Sequence, residues 1–232
     1  TMITLREAAA NIHNDPSWWR QVLLGGALQL TVVGYPWAAG LEVESLDNIR
    51  KGYPTPLPPA FDHSSRYVIG IFALLIDFVF FLLPVLISGL ILFCSAVVFV
   101  LASGNTITWL WVIGVVLAIY ELCIFATGAA PIARIMYAEQ GFAEDALSSK
   151  PLREALRPGA RSIYAQARLR SLPAYLPALL LVLAIILVIN LNPPALLFIV
   201  IALLWLASSA LLYAHLIVVQ LYGAAHREAR YL

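Results

Sequence analysis

Between Arg170 and Arg227 the chain carries no Asp, Glu, Lys or Arg. One polar interruption, Asn190-Leu191-Asn192-Pro193-Pro194, divides that stretch. An α-helix rises 1.5 Å per residue, so crossing ~30 Å of hydrocarbon takes about 20 apolar residues. The stretch therefore holds two crossings, 172–189 and 195–225, joined by an Asn/Pro turn. No water-facing domain tolerates so long a surface without charge.

Composition agrees. Hydrophobic residues make up 62% of the chain and charged residues 12%, against about 25% charged in an ordinary soluble domain. The expected class is an all-α polytopic membrane protein, one integral domain over 1–232. The first twenty residues lack the apolar core of a secretory signal. Cys94 and Cys123 both lie inside apolar runs. They are expected to be small buried hydrophobes, since two cysteines at this separation make neither a disulfide framework nor a zinc pattern.

Along the chain, 1–20 reads as an interfacial segment. It contains a short amphipathic helix at 3–12 and the pair Trp18-Trp19 beside Arg20, an aromatic belt at a membrane boundary. Residues 21–50 are apolar and then acidic, interrupted by Gly34 and Pro36. A turn near Val33-Gly34-Tyr35-Pro36 would make them a re-entrant helical hairpin, with arms of about 22 Å that dip in without crossing. The alternative is a fifth, fully crossing span. Residues 51–66 hold four prolines and form a loop. Two spans are expected within 67–132, the first kinked at Pro84, with a turn at Ser103-Gly104-Asn105-Thr106 and with Trp109 and Trp111 as anchors of the second. Residues 134–170 form a basic cytoplasmic segment of amphipathic helices, with a helix start at Ser149-Lys150-Pro151 and a break at Arg157-Pro158-Gly159.

Lys and Arg set the orientation. They are absent from the two short turns and concentrated in 50–66, 134–170 and the C-terminal tail. The positive-inside rule puts those loops, both termini and hence the C-terminus in the cytoplasm, in a prokaryotic inner (cytoplasmic) membrane. If the hairpin crosses, the N-terminus lies outside.

Four segments carry a family resemblance: WWRQVLLGG at 18–26, GYPWAAGLEVESLDNIRKG at 34–52, MYAEQGF at 136–142 and LYAHLIVVQLYGAAHRE at 212–228. Spread over nearly the whole length, they resemble the prokaryotic integral-membrane domain-of-unknown-function family 4013. The resemblance implies a membrane fold and no catalytic residues. The acidic second arm (Glu42, Glu44, Asp47) departs from the basic character expected there.

Three ionisable residues are expected at membrane depth: Asp77, Glu121 and His215. Such groups cost at least ~2.5–3.5 kcal/mol to insert, so they face protein or water rather than lipid. Asp77 and Glu121 together would suit a proton relay or a cation site. The plainer expectation is that each is neutral or hydrogen-bonded to a neighbour such as Tyr120 or a serine. His215 and His226 fall on nearly one helix face. His215 would serve as an axial ligand to haem or a chlorophyll-type pigment, or simply bond across helices. The cluster Lys150, Arg153, Arg157, Arg161, Arg168 and Arg170 suits anionic lipid headgroups or an acidic partner. Nucleic-acid binding is not expected. Ser208-Ser209 and Gly223 read as close helix-packing positions.

No nucleophile–base pair, phosphate loop or metal motif is visible. The expected function is therefore non-catalytic: an accessory, scaffold or assembly subunit in a larger membrane complex, respiratory or photosynthetic, with lipids and other integral subunits as partners and no cofactor. The alternatives are a small transporter or channel using Asp77, Glu121 and His215, and a pigment- or haem-binding subunit through His215.

Overall fold

The computed structural model describes residues 3–31, 33–59, 63–101, 106–190 and 196–231, and these contain helices and no strand. Of the two short turns expected at 103–106 and 190–194, residues 103–105 and 191–194 lie outside the described residues, while Thr106 opens one helix and Asn190 closes another. Helix α1 (Leu5–His13) opens with a capping box. Thr4 N–H and its hydroxyl bond Glu7, which holds that carboxyl below the usual carboxylate range. Residues 21–50 form two helices rather than one, α2 (Trp18–Gln29) and α3 (Tyr35–Lys51). Pro36 begins α3, where its missing N–H costs nothing, and left-handed Gly52 (φ 76°) ends it.

Among the described residues, four stretches are long and apolar enough to cross a membrane: His63–Val98, Trp109–Gln140, Ala160–Asn190 and Leu197–Ala229. The first comprises α4 (His63–Asp77), a π-helical turn at Phe78–Leu82, and α5 (Leu83–Leu101). The kink expected at Pro84 takes the form of that π turn, in which Leu83 N–H bonds the Phe78 carbonyl five residues back. Proline lacks the N–H for the next rung, and its ring would strike a carbonyl of the preceding turn. Widening the helix there relieves the clash and places Asp77 at the mouth of the bulge. The second stretch comprises α6 (Thr106–Thr127) and α7 (Ala129–Gln140), broken at Gly128. Short helices α8 (Ala143–Leu147), α9 (Lys150–Leu156) and α10 (Ala160–Ser171) follow, and a 3-10 turn at Leu172–Tyr175 leads into α11 (Leu176–Asn190). Helix α12 (Leu196–Ala229) closes the chain.

These elements sort into a tightly packed body and two slender pairs. The body has three buried apolar clusters, and α3 contributes to all of them. Trp37 and Leu41 meet Ile12, Leu212 and Leu216; Leu46 meets Ile132, Ile135 and Tyr222; Val43 meets Ala73, Ile76 and Ala133. Glycine makes the approach possible where α3 crosses α4: a Cβ on Gly70 would collide with the Pro36 carbonyl, and one on Gly40 with the Arg66 carbonyl. Gly26 on α2 lies equally close to Ser209 on α12, and Gly223 contacts Leu46, so the small residues expected to mediate packing do so.

The pairs α5–α6 and α11 with residues 197–206 of α12 bury little. Cys94 and Cys123, expected in a core, are exposed on α5 and α6. Both lie on outward surfaces of the α5–α6 pair, so an apolar run did not imply burial inside protein. Trp19, Trp109 and Trp111 are also exposed, whereas Trp18 is half-buried against His13 and Tyr213.

Candidate functional site

Where the body meets the two pairs, an open cleft of about 1040 Å³ is enclosed by α3, α4 with its π turn, α6, α7, α10 and α12. Ile71, Leu74, Leu75, Phe78, Phe81 and Leu82 make one apolar wall. Its polar lining comes from Glu42, Asp77, Arg134, Arg168 and His215, with Tyr35, Tyr175 and Tyr222.

Arg134 is the hub. Its Nε donates to Asp77 Oδ1 at 2.9 Å, and its two terminal nitrogens donate to Asp77 Oδ2 and to Glu42 Oε2. The other Glu42 oxygen, Oε1, faces His215 Nδ1 at 3.1 Å. A carboxylate only accepts, so His215 donates through Nδ1. The result is a continuous relay, Asp77–Arg134–Glu42–His215, joining α4, α7, α3 and α12. Glu42 is 2% exposed, whereas Asp77 at one end of the relay is 31% exposed and His215 at the other 25%, so the buried carboxylate lies between two partly open ends. The planar guanidinium suits this role, because it presents several fixed donors to two carboxylates at once. The Tyr175 ring meets His215 edge-on, with centroids 5.8 Å apart.

Arg168 stands apart from this relay. Its guanidinium carbon lies 4.0 Å over the Phe125 ring and 5.2 Å over Tyr222. It is 92% buried, being only 8% exposed. Among the described residues no carboxylate forms an ion pair with it.

The structure thus brings Asp77 and His215 together and leaves Glu121 elsewhere. Glu121 accepts from Ser88 Oγ at 2.6 Å across the α5–α6 pair, the serine partner expected from the sequence. His226 is separate too, bonded through Nδ1 to Tyr164 Oη at 2.7 Å at the far end of α12. Of the basic cluster, only Arg168 reaches the cleft. Lys150 pairs with Asp145, and Arg157 with Glu154 and the Ala229 carbonyl. Arg153, Arg161 and Arg170 are exposed. Among the described residues no group of three His, Cys, Asp or Glu is placed to hold a metal ion.

Sequence reasoning missed Glu42 and Arg134 as site residues. Their signal was present: Arg134 sits alone in the apolar run AAPIARIM, and a lone cation in such a helix requires a carboxylate from elsewhere. The acidic second arm is explained the same way. Glu42 serves Arg134, Glu44 pairs with buried Arg66, and Asp47 holds Arg50 and Lys51.

Fold and site together define a polytopic α-helical membrane protein with a charged cleft at the root of its spanning helices. Residues 23–191 match the family described as protein of unknown function (DUF4013). The chain belongs to that family. The match contains the segments at 34–52 and 136–142, and ends before the one at 212–228. No curated protein and no solved structure matches the chain.

Proposed function

We propose that this is a non-catalytic membrane protein that takes a lipid-class amphiphile from the bilayer into the cleft. The observation that carries the reading is the cleft itself: large, apolar on one wall and lined with buried charges on the other. Ligand sites generally combine a mostly apolar enclosure of about 300–1,000 Å³ with a few convergent polar groups. Lys and Arg placement supports an orientation with the body cytoplasmic, the C-terminus inside, and α2–α3 as a re-entrant hairpin of a prokaryotic inner membrane. The cleft would then open at the level where headgroups meet tails. The test is lipid analysis of full-length protein purified in mild detergent. A lipid should be retained stoichiometrically, and Ile71→Trp, which fills the apolar wall, should reduce it several-fold. Equal retention of bulk lipid by both proteins would overturn the reading.

A second reading is the accessory, scaffold or assembly subunit. It is supported by α5–α6, whose outward faces lie open, with Phe93 66% and Leu122 64% exposed. A stoichiometric set of membrane subunits co-purifying with the native chain would favour it. The transporter reading has less behind it, since Glu121 is not joined to the relay of Asp77 and His215. For haem or pigment ligation, the supporting contact is Glu42 on His215 Nδ1, the kind of outer-shell bond that orients a ligating histidine. A visible absorption band lost in His215→Ala is its test.

A further inference from the structure

The cleft holds two buried arginines in opposite situations. Arg134 is committed to Asp77 and Glu42, which uses both carboxylates that line the cleft. Arg168 has the rings of Phe125 and Tyr222 against it and the Tyr222 hydroxyl as a polar neighbour, and among the described residues no carboxylate pairs with it. Its Nε is shut away from solvent without a hydrogen bond of normal geometry, and so is the hydroxyl of Tyr222 beside it. Both groups are donors. A buried donor left unpaired is costly, and a buried cation more so. Phe125 and Tyr222 supply the guanidinium with ring quadrupole, which offsets part of that cost but accepts no N–H bond. What this corner lacks is an anionic acceptor.

We infer that Arg168 and Tyr222 receive the phosphate of an anionic phospholipid, whose acyl chains lie along the α4 and π-turn wall. The inference rests on the amphiphile reading above and names the headgroup chemistry of that ligand. A phosphate diester offers the guanidinium paired oxygens and the tyrosine hydroxyl a further acceptor. The neighbouring carboxylates do not repel it outright, because Arg134 neutralises them at contact distance. The apolar wall begins within the same cleft, at Phe78, Phe81 and Leu82, so one molecule reaches both features.

Native mass spectrometry of the full chain in mild detergent tests this. It would be titrated with phosphatidylglycerol, with diacylglycerol of the same acyl chains, which lacks the phosphate, and with inorganic phosphate as a competitor. Phosphatidylglycerol should be preferred about tenfold, the value of one charge-assisted hydrogen bond. Arg168→Gln should abolish the preference while total lipid uptake persists, and Tyr222→Phe should reduce it several-fold. Inorganic phosphate at equal concentration should displace neither lipid, since it gains nothing from the apolar wall. An undiminished preference in both variants overturns the assignment while leaving lipid uptake in the cleft intact. Full displacement by inorganic phosphate overturns it in favour of a soluble anion. Absence of saturable lipid binding in the unmodified protein overturns the cleft reading beneath it. If Arg168→Gln fails to fold, the Tyr222→Phe result decides, because that change removes a single oxygen and leaves the ring in place.

Discussion

Around α3, helices touch through glycine and bury charge: Gly40 and Gly70 lie against backbone carbonyls, and Arg66 is fully enclosed beside Glu44 and over Trp37. Along α5, α6 and α11 the side chains point outward, with Phe93 66%, Trp111 71% and Leu187 64% exposed. Both regions are apolar, so hydrophobicity alone does not distinguish them. Lipid solvates a leucine as well as another leucine does, and apolar helices in a bilayer have no hydrophobic reason to associate. What draws helices together here is close backbone approach and polar groups that lipid cannot satisfy. The body has both. The pairs have little of either, apart from Ser88–Glu121 and the contacts of Trp205, Ser208 and Ser209 on α12 with α2.

The largest test of this contrast is the relay hub. Arg134→Gln leaves Glu42 and Asp77 facing each other's vicinity without a cation, and breaking such a buried pair costs about 3–5 kcal/mol. Thermal unfolding in detergent should move sharply downward or the protein should fail to purify. Adding Glu42→Gln and Asp77→Asn should recover much of the loss. Unfolding at the original temperature would mean that the body does not depend on this network.

Glycine provides a matched pair at smaller scale. Gly70→Ala drives a methyl into the Pro36 carbonyl, which is backbone and cannot swing aside, so a loss of about 1–3 kcal/mol is expected. Gly89→Ala on α5 meets no atom within 4 Å. It should be neutral, or stabilising by up to about 1 kcal/mol through helix propensity. Equal effects on the melting temperature would erase the distinction between body and pairs.

Tyr164→Phe removes the hydroxyl bonded to His226 and should cost about 1–2 kcal/mol, read as earlier proteolysis of the α9–α10 region and a lower melting temperature. Smallest of all, Leu122→Ala trims a side chain that is 64% exposed on α6. Its effect should stay within about 0.5 kcal/mol. A drop of several degrees in native material, but not in purified protein, would reveal a partner seated on that face.

Much of this was readable from local pattern. The charge-free stretch after Arg170 and the Pro/Gly punctuation at Pro36, Gly52, Pro84 and Pro158 mark helices and their ends, because propensity and solvent compatibility are local properties. The site was readable only in fragments. Asp77 and His215 stand out as polar residues in apolar runs, but nothing in their spacing names Arg134 as the group between them. Glu42 and His215 are 173 positions apart. Arg161 and Arg168 belong to one basic cluster and to one helix, yet the first is exposed and the second sealed over Phe125.

Sequence alone therefore decided the solvent of this protein, the number of long apolar helices and the side chains that would need rescue from lipid, since each follows from residues adjacent in the chain. Tertiary structure alone decided which carboxylate answers which arginine, and that Arg168 lies over Phe125 and Tyr222 instead of against a carboxylate. Ion pairing is settled by distances of a few ångströms between helices, and the chain reaches those distances only after α3, α4, α7, α10 and α12 have come together.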